Sequence, residues 1–360
     1  MIPPADRQRL AGYRMPPEWA PHAATYIVWP HNRDTWPGKF EPIPPIFAQM
    51  AEAIASFEPV RILVQPGADV DEIRRFIREA AALSGQPKRS DRIELVEIAT
   101  NDSWIRDHGP IFVNRRDGEP VGVAPQIALD WRFNSWGQKY GAFDLDDVVP
   151  HQLGERYGFE VIEPGLVLEG GSIDVNGAGA VLTTESCLLN PNRNPDLTRA
   201  EIEDYLRVYL GVEQILWLGE GIAGDDTDGH IDDLARFTAP DTIVTVVEED
   251  PADANYGVLR ENLARLRALR DGAGRPFVIE TLPMPAALHH EGARLPASYA
   301  NFYIVNGGVI MPSFECAADA IAAATLARLF PGRRVVAIPS IDLVWGLGAI
   351  HCLTQQHPMP

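Results

Sequence analysis

The chain has 360 residues and a formal net charge of −19, with 46% apolar and 22% charged residues. This is the composition of a globular protein with a large core. The negative charge argues against nucleic acids and anionic membranes as partners and is compatible with a cationic small molecule as substrate. No apolar run reaches eighteen residues, so we predict no membrane span.

The predicted elements repeat the order strand, helix, strand. The first copy has a strand at 60–65, a helix at 70–83 and a strand at 92–98, and the apolar residues of the helix fall on one face. A weaker copy runs from 120 to 163, with a short helix at 151–157. The later copies are 180–184, 197–210 and 214–218; 242–247, 255–270 and 277–282; and 308–312, 316–330 and 334–339.

The last strands of these copies begin near residues 92, 159, 214, 277 and 335, a spacing of about 60 residues that occurs five times. A period of this size is typical of an array or of propeller-like closure. We therefore predict an α/β protein with a single domain over residues 1–360 that consists of five repeats. The alternative is an ordinary α/β sheet with accidental regularity.

A polar segment that contains unusual residues follows each of these last strands. Asp107, Glu169, His230 and Cys352 lie in four of the segments and are separated by 62, 61 and 122 residues, while the remaining segment contributes Asn301. Equivalent positions in a closed ring of repeats all face its axis. A ring would therefore bring a thiol, an imidazole and carboxylates together from the whole chain.

This set of side chains has a chemical meaning. A thiol nucleophile needs a histidine for proton transfer, and Glu169 could fix the tautomer of that histidine. Asp107 and Asp232 would disfavour a thiolate through their negative charge, so they make sense only if the substrate is a cation. A planar guanidinium, with several N–H donors, fits two carboxylates well.

Some of these residues also have a purely structural interpretation. Asp107 could pair with Arg106 or cap a turn, Glu169 could be a turn residue before two glycines, and Cys352 could be a small core residue. These interpretations stay open at the level of single residues.

The acidic run at 225–233 is the other ambiguous segment. It could be a solvated loop or a calcium site, although the spacing of an EF-hand loop is not met. If 230–237 is a strand, His230 and Asp232 share one face, which fits a buried pair better than a solvated loop.

Cysteine content and the first residues bear on location. The three cysteines, Cys187, Cys316 and Cys352, are few and odd in number. This argues against a disulfide framework and predicts that the protein is located in the reducing cytoplasm. The first residues lack the apolar segment of a secretory signal. Neither Cys-x-x-Cys nor His-Glu-x-x-His occurs, so we expect no zinc site.

The ordered set of motifs resembles the agmatine deiminase group of the guanidino-group-modifying superfamily, close to the bacterial peptidylarginine deiminase type. The resemblance covers nearly the whole chain. The motifs are Met15-Pro-Pro-Glu-Trp-Ala-Pro-His22, Trp29-Pro-His-Asn-Arg-Asp-Thr-Trp-Pro-Gly38, Asn101-Asp-Ser-Trp-Ile-Arg-Asp107, Trp131-Arg-Phe-Asn-Ser-Trp-Gly137, Glu169-Gly-Gly-Ser172, Leu188-Leu-Asn-Pro-Asn-Arg-Asn194, Gly229-His-Ile-Asp232, Asn301-Phe-Tyr303 and Ile350-His-Cys-Leu-Thr-Gln-Gln356.

The resemblance implies a five-bladed α/β propeller, the pentein fold, with pseudo-fivefold symmetry and the active site on its axis. It implies that Cys352 is the nucleophile that attacks the guanidinium carbon. It further implies that His230 protonates the leaving ammonia and then activates water, and that Glu169 orients His230.

By the same resemblance, Asp107 and Asp232 would bind the guanidinium nitrogens and Trp104 would line the pocket. Agmatine would give N-carbamoylputrescine and ammonia, with no metal or organic cofactor. A homodimer is also implied.

One segment departs from the family pattern. The residues before Ile-His-Cys usually read Gly-Gly-Gly-Asn in the family, and here they are Gly346-Leu347-Gly348-Ala349. Leu347 adds bulk and Ala349 removes an amide, so deimination is expected, while the shape of the rest of the pocket, and with it the choice of agmatine, stays open.

Three alternatives to agmatine deimination therefore stay open. The substrate could be free or peptidyl arginine or a simple guanidine, and a substrate carboxylate would then need a partner such as Arg132. The chain could be a non-catalytic protein that binds guanidinium compounds or polyamines. It could also be an amidinotransferase, which shares the cysteine and histidine of the superfamily.

Overall fold

Five sheets of three or four strands and one two-stranded ribbon are found in the described residues, 2–84, 90–116 and 124–360 of a computed structural model. The strands, in chain order, are β1 (Tyr13–Arg14), β2 (His22–Val28), β3 (Val60–Val64), β4 (Ile93–Glu97), β5 (Ile111–Arg115), β6 (Gln126–Leu129), β7 (Glu160–Ile162), β8 (Asp174–Val175), β9 (Ala180–Thr184), β10 (Gln214–Leu218), β11 (Ala235–Ala239), β12 (Thr242–Val247), β13 (Val278–Pro283), β14 (His289–His290), β15 (Ala293–Arg294), β16 (Tyr303–Val305), β17 (Gly308–Ser313), β18 (Arg334–Pro339) and β19 (Gln355–Pro358).

The helices connect these strands. They are α1 (Pro4–Leu10), α2 (Ile43–Ala55), α3 (Val70–Ser84), α4 (Ile105–His108), α5 (Ser135–Gln138), α6 (Val149–Tyr157), α7 (Glu185–Leu188), α8 (Arg199–Leu210), α9 (Tyr256–Ala268) and α10 (Ala318–Leu329). Single 3-10 turns occur at Ser90–Arg92, Gly170–Ser172, Ile231–Asp233 and Leu343–Gly346. Among the described residues, no helix combines the length and the apolar character needed to cross a membrane.

The five sheets share one strand order. In each sheet, the first strand, here called the entry strand, pairs antiparallel with a central strand. A helix follows the central strand and leads to an outer strand on its other side. The sheets are β5–β6–β7, β8–β9–β10, β11–β12–β13, β16–β17–β18 and β19–β2–β3, with β1 added beside β5 and β4 beside β3. The outer strand is parallel to the central one in every pair whose register is defined, and a parallel connection needs a crossover, here helical.

The chain forms two compact units, each built from separate segments. Unit 1 comprises the described residues of Met1–Pro17, Asp107–Thr281 and Pro360, and unit 2 comprises those of Glu18–Arg106 and Leu282–Met359.

In unit 1, apolar strands and α8 enclose one core. Leu129, Val181, Leu206 and Tyr209 are almost fully buried in it, and each such side chain contributes about 1.5–3 kcal/mol by leaving water. Helix α8 begins with a capping box in which Thr198 and Glu201 bond each other's backbone, and it ends at a left-handed glycine, Gly211.

In unit 2, α2 is buried along most of its length. Two prolines occupy its first turn, where a missing N–H costs nothing, and Phe47 and Ile54 are among its fully buried side chains. The last strand of the chain, β19, pairs antiparallel with β2, with Gln355 opposite Tyr26. This pairing holds the segment just after Cys352 within a sheet.

The α/β class predicted from the sequence is confirmed, and the strands and helices of the predicted repeats that fall on described residues are found within two residues of their predicted ends. The weaker copy begins at residue 120, which lies outside the described residues. The entry strands of the sheets and helix α2 were not predicted, because they are short or lack clear periodicity. Closure into a five-bladed ring and a single domain over 1–360 stay predictions.

A matched pair of glycines tests how closely α8 packs. Gly211 and Gly158 both end helices with left-handed backbone, at φ of 65° and 74°. A Cβ on Gly211 would lie 2.2 Å from the Tyr13 carbonyl oxygen, whereas a Cβ on Gly158 meets nothing within 4 Å.

Gly158→Ala should therefore lower the free energy of unfolding by about 1 kcal/mol, from backbone strain alone. Gly211→Ala should lower it by roughly 2–4 kcal/mol, because strain adds to overpacking. Urea unfolding of both variants measures the difference, and equal losses would contradict the close packing of α8 on the segment at Tyr13.

Candidate active site

The predicted site residues are distributed over both units. Unit 1 contains Asp107, Glu169, His230 and Asp232, and all four are buried. Unit 2 contains Trp104 and Cys352, which are also buried.

His230 is fully buried, and its backbone is fixed by the acidic run that precedes it. Its backbone N–H donates to Thr227 Oγ1 at 3.1 Å and to Asp225 Oδ2 at 3.2 Å. The residues that follow form the 3-10 turn Ile231–Asp233, and β11 begins only at Ala235. The condition considered from the sequence, a strand over 230–237, is therefore met only from Ala235 onward, because the side chains of Thr227 and Asp225 hold the His230 backbone in a loop. The predicted burial of His230 and Asp232 is confirmed.

The acidic run serves as a scaffold and not as a solvated loop. Asp225 accepts from the Thr227 backbone N–H at 2.8 Å as well as from His230. Asp228, in left-handed conformation at φ 68°, accepts from Lys139 and from Arg193 at 2.7 Å each. These carboxylates orient the loop that carries His230.

Asp107 is oriented by two N–H groups and lies near the imidazole. Its Oδ2 accepts from Trp136 Nε1 and its Oδ1 from the Gly171 backbone N–H, both at 2.9 Å. Its Oδ1 lies 3.7 Å from His230 Nδ1. Trp136 takes this position on α5, where four consecutive residues have φ between 53° and 89° and form a left-handed turn. Pairing of Asp107 with Arg106, the structural alternative, is not what the structure shows.

Gly171 allows the close approach of these groups. A Cβ at this position would lie 2.5 Å from His230 Nδ1, 2.9 Å from Asp107 Oδ1 and 3.1 Å from Asp232 Oδ2. Any side chain here would displace the imidazole or a carboxylate. The second of the two glycines after Glu169 thus has a packing function at the centre of the acidic cluster.

Glu169 is fully buried and forms an ion pair with Arg193. The Arg193 Nε donates to Glu169 Oε1 at 2.5 Å, and its Nη2 donates to the Thr227 carbonyl oxygen at 2.9 Å. Burial lowers the pKa of Arg193, but Glu169, Cys187 and Asp228 together outweigh burial, so the net pKa is raised. The guanidinium thus neutralises one buried carboxylate while the others face His230.

A second thiol lies beside the imidazole. The ligand atoms of Cys187, Glu169 and His230 all lie within 4.8 Å of one another. Cys187 is on the one-turn helix α7, whose first turn is capped by Thr184 Oγ1. Burial raises the pKa of the Cys187 thiol, against the lowering effect of its contact with His230.

Charge in this cluster keeps the imidazole protonated. Burial by itself lowers the pKa of His230, but the charges of Asp107 and Asp232 and the contact with the Cys187 sulfur together outweigh burial and raise the pKa well above its usual value. Burial raises the pKa of Asp107 to about 6, against the opposing charge of His230. At neutral pH, His230 is therefore an imidazolium that faces an ionised Asp107.

In unit 2, the turn that carries Cys352 is fixed by an asparagine. Asn301 Nδ2 donates to Cys352 Sγ at 3.1 Å, and Asn301 Oδ1 accepts from the His351 backbone N–H at 2.9 Å. The Arg106 backbone N–H donates to the Cys352 carbonyl oxygen at 3.2 Å. The sequence places Asn301 in the fourth segment and in the motif Asn301-Phe-Tyr303 without a role, and the structure shows it in contact with the thiol.

Trp104 packs against the glycine segment that precedes the thiol. A Cβ on Gly348 would lie 2.4 Å from Trp104 Cζ3, so this indole ring needs a glycine there. The other face is covered by Trp36, with ring centroids 5.7 Å apart. Leu347, one of the departures from the family pattern, is left-handed at φ 69°. A non-glycine residue in this conformation costs roughly 1 kcal/mol, a strain that glycine would not have.

Two residues of the cluster, Arg193 and Trp136, belong to the sequence motifs given above without an assigned role, and Cys187 belongs to none of them. Arg193, Trp136 and Cys187 contact site residues that lie 24, 29 and 43 positions away in the chain, respectively Glu169, Asp107 and His230. Sequence spacing carries no information on such contacts. Arg132, the suggested partner of a substrate carboxylate, is exposed.

Comparison with known proteins gives consistent results. The sequence matches the family of Porphyromonas-type peptidyl-arginine deiminases over residues 14–358. An agmatine deiminase of Ectopseudomonas mendocina is 40% identical over 375 aligned positions, which cover 98% of this chain and 97% of that protein. The solved structure of an agmatine deiminase of Enterococcus faecalis is 34% identical with a TM-score of 0.87, over 98% of this chain and 97% of that one. A substrate-bound cysteine-to-serine variant of C. jejuni agmatine deiminase is 30% identical with a TM-score of 0.84, over 96% of each chain.

The Arg193–Glu169 pair yields a prediction about stability. Arg193→Met should lower the free energy of unfolding by about 3–5 kcal/mol, because it leaves a buried carboxylate without its cation. Arg207→Met is the matched control, since Arg207 pairs with Glu203 on the surface, and it should cost less than about 1 kcal/mol. Urea unfolding measures both, and a small loss for Arg193→Met would show that the pair is not needed to hold Glu169.

Proposed function

The chain belongs to the Porphyromonas-type peptidyl-arginine deiminase family, and from that membership we propose that it is a cysteine-dependent guanidino hydrolase that converts agmatine and water to N-carbamoylputrescine and ammonia. The observation that carries the proposal is the buried acidic cluster in unit 1. Three acidic side chains, Asp107, Glu169 and Asp232, are buried there with one arginine and one protonated imidazole. A site of this kind binds a cation that can donate several N–H bonds, such as a guanidinium.

In the first half of the proposed reaction, the Cys352 thiolate adds to the guanidinium carbon, and Asp107 and Asp232 bind the guanidinium nitrogens. His230 then donates its proton to the departing nitrogen, and the C–N bond breaks to release ammonia. A thiouronium cation remains on Cys352. The raised pKa of His230 supports this step, because the imidazole is protonated at neutral pH.

In the second half, the neutral imidazole takes a proton from water, and the resulting hydroxide adds to the thiouronium carbon. The C–S bond then breaks, which restores the Cys352 thiolate and leaves the ureido product, while the remaining proton passes to solvent. Glu169 would orient His230, and its ion pair with Arg193 supports that role. Trp104 would line the pocket.

The remaining features follow from the same proposal. The two units would act together as one catalytic domain without a cofactor. The low cysteine content supports a cytoplasmic location. Membership of the family supports a homodimer, the assembly that the resemblance implies. Because the substrate class is a small cation, the net charge of −19 would favour its approach.

A second candidate keeps the chemistry and changes the substrate. The observation that favours it is Leu347, which takes a strained left-handed position next to Gly348 and Trp104. The far end of the substrate could therefore differ from that of agmatine. Ammonia release over a panel of agmatine, arginine, a C-terminal arginyl peptide and guanidine decides between these substrates. Tight binding without turnover of any of them would favour a binding protein, and transfer of the amidino group to an added amine would favour an amidinotransferase.

Removal of the nucleophile tests the mechanism. Cys352→Ser should lower the rate of ammonia release from agmatine by at least about a thousandfold, because a hydroxyl cannot replace the thiolate. Agmatine binding, measured by calorimetry, should persist in this variant. Cys316→Ser, at a thiol of unit 2 that bonds Tyr299, is the control and should keep full activity. An active Cys352→Ser variant would falsify the mechanism.

Removal of either carboxylate tests the recognition of the guanidinium. Asp107→Asn and Asp232→Asn should each lower kcat/KM for agmatine about 100-fold, with higher KM and lower kcat, because a charge-assisted contact is lost in a buried site. Asp204→Asn changes a surface carboxylate paired with Arg7 and serves as the control.

The pH profile separates the role of Asp107 from a loss of structure. In the unmodified enzyme, kcat/KM should fall about tenfold per pH unit below about pH 6, where Asp107 becomes protonated and no longer binds the cation. Asp107→Asn should lack this limb. If the acidic limb is unchanged in the variant, Asp107 is not the group that titrates.

A further inference from the structure

The thiol of Cys187 has no step in the proposed reaction, yet it lies at the centre of unit 1. Its sulfur, a carboxylate oxygen of Glu169 and a ring nitrogen of His230 lie within 4.8 Å of one another, and all three side chains are buried. A thiol, an imidazole and a carboxylate that converge in this way are a metal-ligand set.

The donor atoms are also available. Within the part of the chain that the structure describes, Glu169 Oε2 and both ring nitrogens of His230 are buried and make no hydrogen bond of ordinary geometry. Arg193 binds only the other oxygen of Glu169, Oε1, and so leaves Oε2 directed elsewhere. Buried polar atoms of this kind cost free energy until they find a partner.

From this geometry we propose that Glu169, Cys187 and His230 form a binding site for Zn²⁺, and that bound Zn²⁺ inhibits the enzyme. A thiolate, an imidazole and a carboxylate leave the fourth position of a tetrahedral ion for water. Zinc bonds of about 2.0–2.3 Å place ligand atoms roughly 3.5 Å apart, so side-chain shifts of about 1 Å would close the site.

The surrounding charges favour a divalent cation. Asp107 Oδ1 lies 3.7 Å from His230 Nδ1, and Asp232 Oδ2 faces the same glycine as both groups. These carboxylates offset the charge of Arg193. The soft thiolate selects Zn²⁺ over Mg²⁺ and Ca²⁺, which prefer oxygen ligands.

Inhibition follows because the imidazole of His230 can no longer transfer protons once it binds Zn²⁺. A ring nitrogen that binds Zn²⁺ has given its lone pair to the metal and cannot receive the proton that the reaction moves. The motif patterns absent from the sequence would not reveal this site, because its ligands come from residues 169, 187 and 230 in three separate segments. Binding itself does not rest on the proposed function, whereas inhibition does.

Binding is tested in the Cys352→Ser background, which removes the thiol that the proposed reaction uses. Co²⁺ serves as the probe, because a thiolate-to-cobalt charge-transfer band reports sulfur ligation directly. The band is expected in Cys352→Ser and should be absent in Cys352→Ser/Cys187→Ser. Persistence of the band without Cys187, or its absence in Cys352→Ser, would overturn the site. Cys352→Ser/Glu169→Gln provides a second variant and should weaken Co²⁺ binding without abolishing the band.

Inhibition is tested by titrating Zn²⁺ against ammonia release, with each variant normalised to its own uninhibited rate. Cys187→Ser and Cys187→Ala should each raise the half-inhibitory Zn²⁺ concentration by at least about tenfold, the lower bound for loss of a supporting ligand. Cys316→Ser should not change the half-inhibitory Zn²⁺ concentration. Mg²⁺ and Ca²⁺ should not inhibit the enzyme, and a chelator should restore the activity of the Zn²⁺-inhibited enzyme. Unchanged Zn²⁺ inhibition in both Cys187 variants would overturn the proposed inhibition by this site even if agmatine turnover is confirmed.

Discussion

Unit 1 buries three acidic side chains around one imidazole, and the rest of the candidate site depends on how their charge is balanced without water. Each buried carboxylate costs several kcal/mol of lost hydration, so each needs its own partners. Glu169 has Arg193, and Asp107 has two N–H donors and the imidazolium of His230. Because these partners are fixed before any ligand arrives, an incoming cation meets an acidic lining that does not need to reorganise.

The backbone around this cluster is held in conformations that ordinary residues avoid. The left-handed turn Ser135–Gln138 brings Trp136 to Asp107, and non-glycine residues in that region cost roughly 1 kcal/mol each. Asn134 supports the turn by accepting from the Gly137 backbone N–H and by donating to the carbonyl oxygen of the residue before Arg193. The strained turn and the arginine that balances Glu169 thus share one hydrogen-bonded support. Strain of this kind persists only where surrounding contacts fix it, and it is typical of functional sites.

The sequence predicted those strands and helices whose apolar periodicity is strong. It did not predict local structure that depends on side-chain hydrogen bonds or ion pairs between distant residues. Helix α3 and strand β10 were predicted closely, because burial fixes which face is apolar. Whether 230–237 forms a strand stayed open from the sequence, and the structure shows a loop at its start, since Asp225 and Thr227 bond the His230 backbone. Arg193 was visible only as part of a motif, because its carboxylate partner lies far away in the chain.

The two buried thiols illustrate the same limit and show what the structure adds. Cys187 is fully buried, and burial raises the pKa of its thiol, so it remains protonated and is poorly suited to attack a substrate. Cys352 is 6% exposed, and Asn301 Nδ2 donates to its sulfur, an arrangement that stabilises negative charge there. In the sequence, the contacts of both cysteines are invisible, and only the spacing and the motif of Cys352 set it apart from Cys187. Their partners differ: the N–H of Asn301 supports Cys352 as the proposed nucleophile, whereas the place of Cys187 beside Glu169 and His230 supports the proposed metal site, where an ion would take the proton of the thiol.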